Sequence, residues 1–147
     1  MRNVKIAAIQ MQCSTNLQAN LEKAEKMVRQ AAGDGAQIIL LPELFEREYF
    51  CQQRRYDFYH LAKPVEENDA VQMGMRLAKE LNVVLPVSFY EQDVNTLYNS
   101  IPALMRTAHC WGCIVRHIFR MITIIRKSFI LHRGIPASKY LIPISAR

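Results

Sequence analysis

Gln37-Ile38-Ile39-Leu40-Leu41-Pro42-Glu43 is the stretch whose reading decides the fold. Four large apolar residues in succession predict a strand buried on both faces, as in a sheet covered by helices. Pro42 has no N–H and ends the ladder. Glu43 then falls just past the carboxyl end of a buried strand, where ligands bind in open α/β sheets. An acid at that place is either a solvated loop residue or a general base tuned by partial burial.

Outward from this strand, the flanks read as a βαβ unit. Residues 4–11 alternate partially and predict a first strand. Asn16 is placed to cap a helix whose apolar stripe is Leu17, Leu21, Ala24, Val28 and Ala31. Gly33 and Gly35 supply its stop. Residues 44–64 show no clean period and crowd Phe45, Tyr49, Phe50, Tyr56, Phe58 and Tyr59 among Arg47, Arg54 and Arg55. Such a loop either walls a pocket beside Glu43 or packs on itself at the surface. Asn68 or Asp69 caps a second helix with Val71, Met75, Ala78 and Leu81 buried, and Asn82 ends it. Residues 83–90 predict a third strand, with Pro86 arguing for a bulge or an edge. A turn over 91–95 leads to a fourth strand from Thr96 to Ile101, hairpin-paired to the third.

A chain of 147 residues, half of them apolar, fits one domain with an ordinary core. No uncharged apolar run is long enough to span a bilayer, and residues 1–5 do not have a signal-peptide shape. The four cysteines, Cys13, Cys51, Cys110 and Cys113, are irregularly spaced, which predicts reduced thiols and a cytoplasmic setting. The net charge of +6 is unevenly shared. Residues 1–101 hold all 13 acids and 11 of the 19 Lys and Arg, a net of −2, whereas 102–147 hold eight basic residues and no acid. Two compositional regimes therefore meet near Ile101. The negative balance of the first argues against single-stranded nucleic acid as the partner of its aromatic–basic segment.

An ordered set of motifs carries a family resemblance. Residues 4–11, Ile38-Ile39-Leu40-Leu41-Pro42-Glu43-Leu44-Phe45, Tyr49-Phe50-Cys51, Leu85-Pro86-Val87-Ser88-Phe89-Tyr90-Glu91 and Leu97-Tyr98-Asn99-Ser100 together resemble the nitrilase, or carbon–nitrogen hydrolase, superfamily. The branch most resembled is that of the N-carbamoylputrescine amidohydrolases of polyamine biosynthesis, and the likeness covers residues 1–101. It implies an α/β fold, the N-terminal part of an α-β-β-α sandwich. It also implies a Glu, Lys and Cys triad, homo-oligomers, a small carbamoyl or amide substrate, and no metal or organic cofactor. Glu43 is then the base that takes a thiol proton, so that the thiolate attacks the carbon and ammonia leaves. A lysine stabilises the developing charge. The family lysine, in Tyr-Arg-Lys-x-His, and its cysteine, in Cys-Trp, have no counterpart at the matching place. Cys13 and Cys51 do not match the catalytic motif and are read as packing residues.

The tail, residues 102–147, offers several weak matches. His109, Cys110, Cys113 and His117 are four zinc-type donors, and Cys110-x-x-Cys113 is a redox spacing. Residues 113–125, with Arg116 and Arg120, fit a basic amphipathic helix for a membrane or nucleic acid. These make a basic nucleic-acid module or a small zinc protein the alternatives to a hydrolase. A change of reading frame accounts for more. Read from the third base of suitably chosen codons, residues 104–115 encode D-A-D-G-T-L-L-G-x-Y-R-K, and 116–126 continue A-H-I-P-D-D-H-Y-Y-Q-E. This hidden string resembles the family's own continuation, with its Tyr-Arg-Lys-x-His. An Asp codon read one base late begins the next codon with AT, which removes acids and enriches Ile and Met. The expectation is a partial hydrolase domain over 1–101 and a frameshifted tail over 102–147, poorly ordered and prone to aggregate.

Overall fold

Asn16 and Asn68 open the two helices in the same way. Each holds extended backbone, and its side-chain oxygen accepts an N–H three residues on, from Ala19 at 3.0 Å and from Val71 at 2.9 Å. These bonds satisfy donors that a helix start leaves unpaired. Helix α1 spans Leu17–Gly33 and helix α2 spans Asp69–Leu81. Asn82 ends α2 at φ 54, a left-handed conformation that Asn tolerates. The computed structural model describes residues 3–53, 55–105, 113–117 and 128–130.

Strands β1 (Ile6–Ala8) and β2 (Ile38–Leu40) pair in parallel, with Ile6 opposite Ile38 and Ala8 opposite Leu40. With α1 between them, this is the expected βαβ unit. On its other side β2 meets Val84, which accepts from Ile39 N–H at 3.0 Å and donates to Gln37 O at 2.8 Å. The expected third strand is two pieces, β3 (Leu85–Pro86) and β4 (Phe89–Asp93). Both lie antiparallel to one strand, β5 (Thr96–Leu104), in one register: Leu85 faces Leu104 and Phe89 faces Ser100. The interruption falls where Pro86 and Pro102 occupy neighbouring rungs, so the ladder lacks two N–H groups there.

Strand β5 runs through the compositional border at Ile101 without a break. Beyond it, β6 (Cys113–His117) pairs antiparallel with β5, and β7 (Ser128–Ile130) with β6. The amphipathic helix considered for residues 113–125 is therefore a strand over Cys113–His117. Cys-Ile-Val is a better strand former than helix former, and β5 offers it a partner. The remainder of the tail, with His109 and Cys110, lies outside the described residues. Among the described residues no helix is long and apolar enough to cross a membrane, and no group of three metal-donor side chains occurs.

Both helices pack on one face of this sheet. Ala24 and Val28 of α1 meet Ile39, while Val71, Met73 and Leu77 of α2 join Leu85, Val87 and Leu104 in one core. Here the expectation of a strand buried on both faces needs correction. Ile39 is 0% exposed, but Leu40 is 48% exposed and Ile6 is 65% exposed. The register puts Ile6, Ala8, Ile38 and Leu40 on the face away from the helices, and no described element covers it. The apolar run is suited to a two-sided environment, and among the described residues only one side is supplied.

Close approach decides one residue of α2. A Cβ on Gly74 would lie 2.6 Å from Leu104 Cδ1 and 2.9 Å from Val87 Cγ2. Helix propensity favours Ala over Gly by about 1 kcal/mol, whereas overpacking costs about 1–3 kcal/mol. Gly74→Ala is therefore expected to lower the denaturant midpoint, despite the better helix former.

The outer surfaces of the helices are joined by charge. Glu25 of α1 accepts from Arg29 and from Arg76 of α2, and Arg29 forks onto Glu80 at 2.7 and 2.9 Å. The hydrogen bond from Arg76 is the main reason Glu25 is held down to about 2. A carboxyl whose folded value is depressed adds stability above its unfolded value, about 4.3, and loses it as pH falls towards 2. Glu25→Gln is expected to flatten the fall in stability between pH 4.5 and 2, measured by urea unfolding at each pH.

Candidate functional site

Strand β2 ends at Leu40, two residues before Pro42, so the ladder stops earlier than the proline would require; Glu43 follows past the carboxyl end of the strand, with Leu44 beside it at φ 51. A left-handed Leu costs on the order of 1–2 kcal/mol. What holds it is a chain of hydrogen bonds through the interior. Leu44 N–H donates to Ser88 Oγ at 3.2 Å, and the Ser88 hydroxyl donates to Asn99 Oδ1 at 3.0 Å. Asn99 Nδ2 then donates to Glu43 Oε1, which closes a ring that begins and ends at neighbouring residues of one turn. Ser88 and Asn99 are both buried. The direction of the Asn99 amide follows from charge: reversed, it would set oxygen against the Glu43 carboxylate.

The two strand pieces and their partner explain the placement. Ser88 sits in the gap between β3 and β4, where the proline rungs let the backbone turn its side chain towards Leu44. Asn99 lies opposite Tyr90 in β5. The hydroxyl of Tyr49 reaches Glu43 Oε2 at 3.4 Å, a long contact. Glu43 itself is exposed, which fits the solvated placement of the two that the sequence left open. It stands at the rim of the sheet end, and no described element walls it off from water.

Neither cavity near the helices contains Glu43. The smaller, about 30 Å³, is bordered by Leu44, Glu46, Lys63, Asp69 and Tyr90. It has room for about one or two waters and falls far below the ~300 Å³ at which small-molecule pockets begin. The other is an open groove between α1 and α2, bordered by Gln18, Glu25, Gln72 and Arg76. The aromatic segment packs on itself and on β4. Phe50 lies 5.4 Å from Phe58 and 5.3 Å from Tyr90, and Leu44, Ala62 and Tyr90 are buried beneath. Phe50 belongs to a small second core, while Tyr49 and Tyr56 stay exposed. The segment forms two 3-10 turns, Phe50–Gln52 and Tyr56–Leu61. Burial pushes the Tyr90 hydroxyl up to about 12.

Glu46 was not singled out by its sequence context, yet it ties the loop after Glu43 to α2. Asn68 Nδ2 donates to both its oxygens, at 3.0 and 3.1 Å, while its backbone oxygen accepts from the buried Asn20 of α1 at 2.9 Å. Burial raises its carboxyl above the ordinary range, opposed by the Asn68 amide and the Ala70 N–H. A raised folded value favours the protonated form, so that contribution is lost as pH rises through it. Glu46→Gln is expected to gain stability relative to the parent as pH rises from 4 to 7, in paired urea titrations.

The cysteines agree with a packing role. Cys13 packs against the main core and Cys51 against the second, both half-buried. Burial raises the Cys13 thiol, with Lys23 opposing, which disfavours a ready thiolate.

Comparison with known proteins supplies the family context. The model of the carbon–nitrogen hydrolases matches residues 5–128. The N-carbamoylputrescine amidase of Oryza sativa subsp. japonica is 46% identical over 98 residues, which is 67% of this chain and 33% of that protein. The citrullinase of Francisella tularensis is 44% identical over 101 residues, 69% of this chain and 35% of that protein. The chain thus spans about a third of the length of the curated relatives it matches. The crystal structure of a carbon–nitrogen hydrolase from Helicobacter pylori superposes with a TM-score of 0.68 at 22% identity, over 76% of this chain and 39% of that one.

Proposed function

The chain belongs to the carbon–nitrogen hydrolase family, and from that premise we propose that it is the base-bearing part of an amidase whose other catalytic groups are not encoded in this reading frame. The substrate of the intact enzyme is a linear N-carbamoyl amine, with N-carbamoylputrescine the first choice. The observation that carries this reading is Glu43, delivered past the end of β2 and gripped by Asn99. In the intact enzyme Glu43 takes the proton of a cysteine thiol, and the thiolate attacks the carbamoyl carbon. A lysine offsets the charge on the oxygen, ammonia leaves, and water releases the acyl group. Neither half-buried cysteine of the first regime serves as that nucleophile, since both pack into cores.

Three further points support the reading. The curated relatives align over about 100 residues, the length of the acid-bearing regime. The acid-free tail back-translates, one base displaced, to the missing Tyr-Arg-Lys-x-His. The family model matches residues 5–128, with Glu43 inside the match. The functional unit is a homo-oligomer in the cytoplasm that uses neither metal nor organic cofactor, nucleic acid nor membrane.

The purified chain is expected to release no ammonia from N-carbamoylputrescine. One inserted or deleted base near codon 100 is expected to restore the family's Tyr-Arg-Lys-x-His motif, read directly from the nucleotide sequence. Ammonia release by the chain as written would overturn the proposal, as would a nucleotide sequence that no single-base change brings back into register.

A further inference from the structure

Ser88 and Asn99 come from different strands, are 11 residues apart, and are both buried, yet neither meets the small cavity. Each uses its polar atoms along one line that runs from the Leu44 N–H to Glu43 Oε1. Among the described residues every buried side-chain nitrogen and oxygen has a partner, so this line is complete and has no slack to be taken up elsewhere. An exposed carboxylate on a stem of two methylenes ordinarily samples several rotamers. Here one of its oxygens is fixed by an amide that is itself fixed by a hydroxyl, and that hydroxyl also grips the backbone next to the carboxylate.

We infer that Ser88 and Asn99 are positioning residues that select one rotamer of Glu43. This deepens the assignment of Glu43 as the base and rests on it for its catalytic meaning. Asn99 acts on the carboxylate directly, and Ser88 acts through Asn99 and Leu44. The consequence for chemistry is that Oε1 is held by Asn99 and Oε2 lies beside the Tyr49 hydroxyl, so the carboxylate is presented in one orientation. Preorganisation then precedes the arrival of the other catalytic groups, because it is complete within residues 43–99.

The test uses the chain itself, isotope-labelled, with three-bond couplings read about the Cα–Cβ and Cβ–Cγ bonds of Glu43. The parent is expected to show one rotamer. Asn99→Asp keeps an acceptor for Ser88 but sets a like charge against Glu43, and Asn99→Ala removes the donor. Both are expected to give averaged couplings while the amide signals of α1 and α2 stay in place. Should the buried variants fail to fold, Glu43→Gln, at an exposed position, reads the same bond from its other end. The Asn99 side-chain amide signals are expected to move upfield when the charge they face is removed. Averaged Glu43 couplings in the parent would overturn the inference, as would a single rotamer retained in folded Asn99→Asp or unmoved Asn99 signals in Glu43→Gln. None of these readings involves turnover, so they fail or succeed independently of the amidase assay.

Discussion

The structure depends on β2 being held on three sides at once. Its backbone pairs in parallel with β1, takes Val84 on the other edge, and lays Ile39 against the helices with no exposed surface. Pairing stops at Leu40, and Pro42, which has no N–H to donate, keeps the chain from rejoining the sheet. The position of Glu43 is therefore a consequence of backbone pairing some distance away. Leu44 accepts a left-handed conformation because its N–H and its buried side chain are both engaged on the far side of the turn.

Much of this was readable from the residues. The caps at Asn16 and Asn68, the left-handed stop at Asn82 and the parallel βαβ unit all follow from local chemistry that needs no partner. The hairpin of β4 and β5 was also visible, because its alternation and turn are local. The break between β3 and β4 was half visible. Pro86 signalled a disturbance, but its location depends on Pro102 arriving at the next rung, and register is not written in either segment alone.

The Ser88–Asn99 line was out of reach for the same reason. Ser88 lies between Val87 and Phe89, and Asn99 between Tyr98 and Ser100, so each is a polar residue in strand-forming surroundings. That pattern signals a buried polar pair only after the strands are aligned. An acid in an aromatic loop such as Glu46 reads as solvated until the N-cap of α2, Asn68, is aligned against it. The exposure of Leu40 has a different cause. An apolar run states its suitability for enclosed surroundings without stating what encloses it.

The uncovered side of the sheet has a thermodynamic consequence. Unfolding raises heat capacity in proportion to the apolar surface newly wetted. Val4, Ile6 and Leu40 already meet water in the folded chain, so they add little to that change. The curve of stability against temperature should be flatter than chain length alone would set, with a correspondingly shallow response to urea.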